Sequence, residues 1–198
     1  MKKNIPRQLL GEQKDILQTR RAGDKTEVMR LFESAVERLL DVNRWAEWSG
    51  PLSAEFQLTD GRGMPVQGKA KEGLFIRIDI LGPGTTTGEG YDWVRIEETR
   101  YKEDVSTDTA YQLIRARPSA DPCHPDGVAH FFDSSATSTF VVSREGFLVS
   151  AEIHGRNEKA SHDGTFTDKL RNEIVSLASV AGFSDMQWNS LAKGLLGL

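Results

Sequence analysis

The residue types most able to do chemistry cluster in two short stretches. "CHPDGVAHFFD" gathers Cys123, His124, Asp126, His130 and Asp133, all potential metal ligands. Its spacing contains neither C-x-x-C nor H-x-x-x-H, so it matches no standard zinc pattern. The reading is a proline-stiffened loop, with His130 kept as a candidate polar contact for a ligand. "SAEIHGRNE" places Glu152, His154 and Arg156 on one face of a strand and Ala151 and Ile153 on the other. A carboxylate beside an imidazole is the pattern of an oriented general base. It is also the pattern of a solvent-facing charge ladder, which the apolar opposite face favours.

A third stretch, "LGPGTTTGEG" (81–90), invites comparison with a phosphate-binding loop. Its glycines never fall five apart, Glu89 stands where a lysine would follow Gly88, and a strand rather than a helix comes next. It reads as a turn. No G-x-S-x-G elbow or Cys-His signature appears. The sequence therefore implies no cofactor and no metal, and leaves catalysis open.

These residues must be held by elements whose periods are legible. "DKTEVMRLFESAVERLL" repeats Val28, Leu31, Phe32, Ala35, Val36, Leu39 and Leu40 at spacings of three and four, which predicts a helix within 24–43 capped by Asp24 and Glu27. Residues 1–22 read as an arm or a short helix. Trp45 and Trp48 follow, three apart, and Trp48 is a candidate for lining an apolar pocket. Between 52 and 156 the period changes to two. Strands are expected in "SAEFQLTD", "MPVQGKA", "LFIRIDIL", "YDWVRIEETR", "TAYQLIRAR" and on both sides of Glu145-Gly146, about seven in all. Over 165–198 the pattern is helical again: a long stripe from Phe166 to Ala181, then a short helix bearing Leu191, Leu195 and Leu196. Helices, strands, then helices make an α+β chain of one domain spanning 1–198. The expected architecture is a curved antiparallel sheet packed against a long C-terminal helix, with an N-terminal helical region.

Composition bounds the function. Of 198 residues 38% are hydrophobic and 27% charged, ordinary for a globular chain with a sizeable core. A formal net charge of -4 argues against nucleic-acid binding, and the first 50 residues hold only ten Lys/Arg against eight Asp/Glu. No apolar run reaches the ~20 residues of a membrane span. The start lacks an apolar signal core, and the single Cys123 permits no intrachain disulfide; a cytoplasmic location fits both.

The stretch "AVERLLDVNRWAEWSGPLSAEFQLTDGRGMPVQGKA", in which a helix ends in W-x-x-W and strands follow, together with the final long helix, resembles the helix-grip superfamily of START and Bet v 1-like ligand-binding proteins. The resemblance implies a long helix packed across a curved sheet around an apolar cavity. It carries over no functional residue. The expected function is a binding module for a small hydrophobic or amphipathic molecule. Two alternatives remain: an interaction subunit that docks or forms a homo-oligomer through the C-terminal helix, and an acid–base enzyme using the same pocket.

One site expectation rests on strand parity. Asp92 and Glu98 share parity with Val94 and Ile96, so strict alternation sends both carboxylates to the core side. They stand about 20 Å apart, too far for a catalytic pair. Glu98 is expected half-buried and hydrogen-bonded beside helix 166–181, as the polar anchor of a pocket.

Overall fold

A computed structural model of the chain describes residues 4–50, 53–79, 91–123, 135–158 and 185–198. The glycine-rich run 81–90, His130 and the helix expected over 166–181 lie outside the described residues.

Helix α1 (Lys25–Leu40) forms where the periodicity placed it. Asp24 Oδ1 accepts from the Glu27 amide at 2.8 Å, and Glu27 Oε2 accepts from the Gly23 amide at 2.6 Å, so each end of the cap satisfies an otherwise orphaned donor. Its buried stripe, Val28, Phe32, Ala35 and Leu39, packs on the sheet. A 3-10 turn (Val42–Arg44) leads to the short α2 (Trp45–Ser49).

Among the described residues seven strands form one antiparallel sheet: β1 (Glu12–Arg21), β2 (Glu55–Thr59), β3 (Phe75–Asp79), β4 (Asp92–Asp104), β5 (Thr109–Pro118), β6 (Thr137–Glu145) and β7 (Leu148–Glu158). Their order across the sheet is β1-β7-β6-β5-β4-β3-β2. The α+β architecture and the curved antiparallel sheet are as expected. Irregular pairing within β1 and within β4 marks the bulges that bend such sheets.

Two element assignments are corrected. Residues 12–21 are an edge strand, not an arm or helix. The strand pairs with β7 from Glu12↔Glu158 to Arg21↔Leu148. In the other direction, "MPVQGKA" is not a strand. Pro65 makes one isolated bridge to Thr59, and Gly68 takes a φ of +111° that ladder geometry does not allow. The outer edge of β2 is covered instead by the Asn43 side chain, whose Oδ1 accepts from the Leu58 amide at 2.7 Å while its Nδ2 donates to the Val66 carbonyl at 2.9 Å.

The core lies on the side of the sheet that faces α1. Ile153, Phe140 and Ile114 oppose one another across β7, β6 and β5, and Leu58, Ile76 and Val94 across β2, β3 and β4. A final helix, α3, runs over 185–196 and buries Leu191, Ala192, Leu195 and Leu196 in this core. The apolar stripe expected to dock on a partner is thus used within the chain. The carbonyl end of α3 is tied down by cations, as its dipole favours: Arg38 Nη1 donates to the Gly194 carbonyl at 2.7 Å and Arg20 Nη1 to the Leu196 carbonyl at 2.9 Å. No described helix is long and apolar enough to cross a membrane.

Candidate functional site

On the inner face, four rings form a closed cluster. Trp45 lies 4.8 Å from Phe140 and 5.4 Å from Phe56, and Trp188 of α3 lies 5.5 Å and 5.9 Å from the same two, centroid to centroid. Such pairs add about 0.5–1.5 kcal/mol each beyond their burial. Trp48 is not a member. Its half-buried ring has the guanidinium of Arg44 at 5.2 Å and that of Arg38 at 5.9 Å, and its backbone abuts Gly194.

Next to this cluster the inner face carries a carboxylate. Asp92 pairs with Ile78, which pairs with Phe56, so all three side chains share the core side. Desolvation pushes the Asp92 pKa up to about 6, and no described cation or donor offsets it. Half-buried Ile78 and Val94 stand beside it.

Glu98 is not on this face. A bulge between Ile96 and Glu98 inserts Glu97, so Ile96 pairs with Ala116 while Glu98 pairs with Arg115. The extra residue reverses the parity, and Glu98 points to the outer face. It is largely buried there, 2.7 Å from Arg115 Nη1 and also paired with Arg100. The expected burial and pairing are present, but on the opposite side of the sheet from the core.

The outer face holds a denser polar group. His154 Nδ1 lies 2.5 Å from Asp15 Oδ1, and its Nε2 lies 3.0 Å from Glu152 Oε2. Arg156 Nη2 donates to the same Asp15 oxygen at 2.6 Å. Burial by itself would lower the His154 pKa; the bonds to Glu152 and Asp15 outweigh it and hold the imidazole above its ordinary value. Burial likewise works against the Asp15 charge, but hydrogen bonds from His154 and Arg156 hold its carboxyl below the usual range. With both ring nitrogens committed to carboxylates, His154 is an imidazolium clasp between β1 and β7 rather than a resting general base. The Glu152–His154–Arg156 face was legible from alternation. Asp15 was not, because its strand was not.

Residues 4–10 lie over this outer face. Asn157, at a left-handed φ of +56°, accepts from the Leu9 amide at 2.7 Å and the Leu10 amide at 3.2 Å through Oδ1. Its own amide donates to Gln8 Oε1 at 2.9 Å, and Arg115 donates to the Asn4 carbonyl. Beneath this segment a groove opens along β5, β6 and β7. Of the "CHPDGVAHFFD" candidates only Cys123 falls among the described residues, exposed, with its Sγ donating to the Arg62 carbonyl at 3.0 Å.

The sheet order, the helices between its first two strands and the helix after its last make the helix-grip arrangement that the sequence resembles. The fold is of that kind. Similar solved structures include the ZhuI aromatase/cyclase from Streptomyces sp. R1128, with a TM-score of 0.45 and 10% identity over 94% of this chain and 93% of that one. Ara h 8.0201 gives 0.34 and 13% over 94% and 100%, and the major latex-like protein 151 of Panax ginseng 0.40 and 10% over 94% and 97%. These are likenesses of outline, and none bears on what this chain binds. No protein-family model matches the chain, and no curated protein matches it.

Proposed function

We propose that the chain binds a small hydrophobic or amphipathic molecule against the inner face of its sheet. Asp92 is the observation that carries this reading. A carboxylate placed among Ile78, Phe56 and Val94, with its pKa pushed up to about 6, destabilises the folded protein unless something there uses it. Few convergent polar groups on an apolar wall are the usual composition of a small-molecule site. The ligand is then an apolar body with a hydroxyl or amino group that meets Asp92. The aromatic cluster supports the reading as a rigid apolar neighbour on the same face, through Phe56, which pairs with Ile78 beside Asp92.

The neutral dye Nile red tests this. Its emission should rise saturably on the native protein, and Val94→Trp, which fills the inner wall, should abolish the rise while the protein stays folded by circular dichroism. A native protein that gives no saturable signal, or a signal indifferent to Val94→Trp, would refute an inner pocket.

A further inference from the structure

The groove lies on the outer face of the sheet, opposite the inner face that carries Asp92. It has a volume of about 470 Å³, within the range of small-molecule sites. Its floor is aliphatic: Leu113 and Val141 face each other directly in the β5–β6 pairing, and neither belongs to the inner core cluster. Ile5 and Pro6 of the N-terminal segment add apolar wall, and Tyr111 adds an aromatic ring.

The other end is charged, and its charges do not cancel. The imidazolium of His154 and the guanidinium of Arg156 face the carboxylates of Asp15 and Glu152, two against two. Arg7 also lines the groove, is exposed, and has no carboxylate partner among the described residues. The excess is one positive charge, carried by a planar fork suited to a two-oxygen head group.

We infer that this groove is a second ligand site, for a small monoanionic molecule with an aromatic or aliphatic body and a carboxylate head. The body lies on Leu113, Val141 and Tyr111, and the head meets Arg7. The site exists only while residues 4–10 are strapped down, so Asn157 and Arg115 are its positioning residues.

The probe is 4-phenylbutyrate, followed by NMR on the full chain, with 4-phenylbutan-1-ol as its uncharged counterpart. The acid should shift the signals of Tyr111, Leu113, Val141 and His154 saturably. Both the alcohol and the Arg7→Glu variant should weaken binding by about tenfold or more, the scale of one lost charge-assisted contact. Arg7 is exposed, so the variant should fold; a dispersed spectrum confirms it. Three results would overturn the proposal: no shift of these signals at millimolar acid, shifts confined to the inner-face residues Ile76, Ile78 and Val94, or equal binding of acid and alcohol.

Discussion

The His154 clasp makes a demanding prediction, because the direction of its pH dependence is fixed by geometry. The variants are His154→Gln and Asp15→Asn, singly and together. The His154 side chain is 13% exposed, Glu152 19% and Asp15 46%. A hydrogen bond to a charged group contributes about 1.5–3 kcal/mol when sheltered. The Glu152 bond belongs near the lower end of that range. The Asp15 bond, half in water, is discounted toward the value of a surface pair, about 0.5–1 kcal/mol. His154→Gln should therefore cost about 2–2.5 kcal/mol near pH 6, or roughly 4–10 °C in Tm for a chain of this size.

The sign follows from linkage. His154 has a folded pKa above its ordinary 6.5, so its contribution is complete below that value and is lost as pH rises through the folded pKa. Asp15 has a folded pKa below its ordinary 3.8, so its contribution is present above that value and is lost as pH falls through the folded pKa. The stability difference between the wild-type protein and His154→Gln should be flat from about pH 4 to about pH 6.5 and shrink beyond. Urea unfolding at a series of pH values measures it, and an NMR titration of the His154 ring locates the turning point. The double-mutant cycle should give a coupling of about 0.5–1 kcal/mol between positions 15 and 154. A difference that grows with alkalinity, or a coupling indistinguishable from zero, would refute the assignment of His154 as an imidazolium bridge between β1 and β7.

Two further outcomes are expected. Asp92 has a folded pKa of about 6 against an ordinary 3.8, so its charge opposes folding as pH rises between those values; Asp92→Asn should gain about 1–2 kcal/mol in urea unfolding near pH 7.5 and nothing near pH 4. Gly194 faces the Trp48 backbone so closely that a Cβ would lie 2.7 Å from the Trp48 Cβ, and Gly194→Ala should cost about 1–3 kcal/mol, read as a lower Tm, despite the better helix propensity of alanine.

Elements with a strong internal period were legible. Helix α1 shows its stripe and its cap, β7 shows strict alternation after a glycine turn, and β6 before that turn shows a short β-branched and aromatic run that is buried almost throughout. Strand β1 does not. Its half-buried positions are Lys14, Ile16, Gln18 and Arg20, with one aliphatic residue among them. An edge strand needs little apolar surface when its ladder partner supplies the backbone bonds, and that partner, β7, lies more than a hundred residues away. "MPVQGKA" fails in the opposite direction. It carries a hairpin signal at Asp60-Gly61, and the turn forms, with Asp60 Oδ1 accepting from the Arg62 amide at 2.8 Å and the Met64 amide at 2.9 Å. The chain then leaves the sheet after Pro65, and β2 keeps β3, on its other edge, as its strand neighbour.

Glu98 departs from alternation for a different reason, since β4 itself forms where its period places it. Strict alternation assigns every second residue to one face, but a single inserted residue reverses every assignment beyond it. The sequence holds a trace of this in Ile96-Glu97-Glu98-Thr99, two acids in succession where alternation allows one on each side. The inner face resumes at Thr99, opposite Ile114, and continues at Tyr101. Had parity run through, Glu98 would have entered the core as a second desolvated carboxylate, and Arg115 would have lost the partner it has at 2.7 Å. An unpaired buried charge costs several kcal/mol, so the bulge removes a cost comparable to a large share of a domain's stability. It also places the two carboxylates on opposite faces of the sheet. Asp92 is left as the charge on the apolar inner wall, while Glu98 holds Arg115, which donates to the Asn4 carbonyl. One extra residue in β4 thus shapes both faces of the sheet, the inner one by the charge it keeps out and the outer groove by what it anchors.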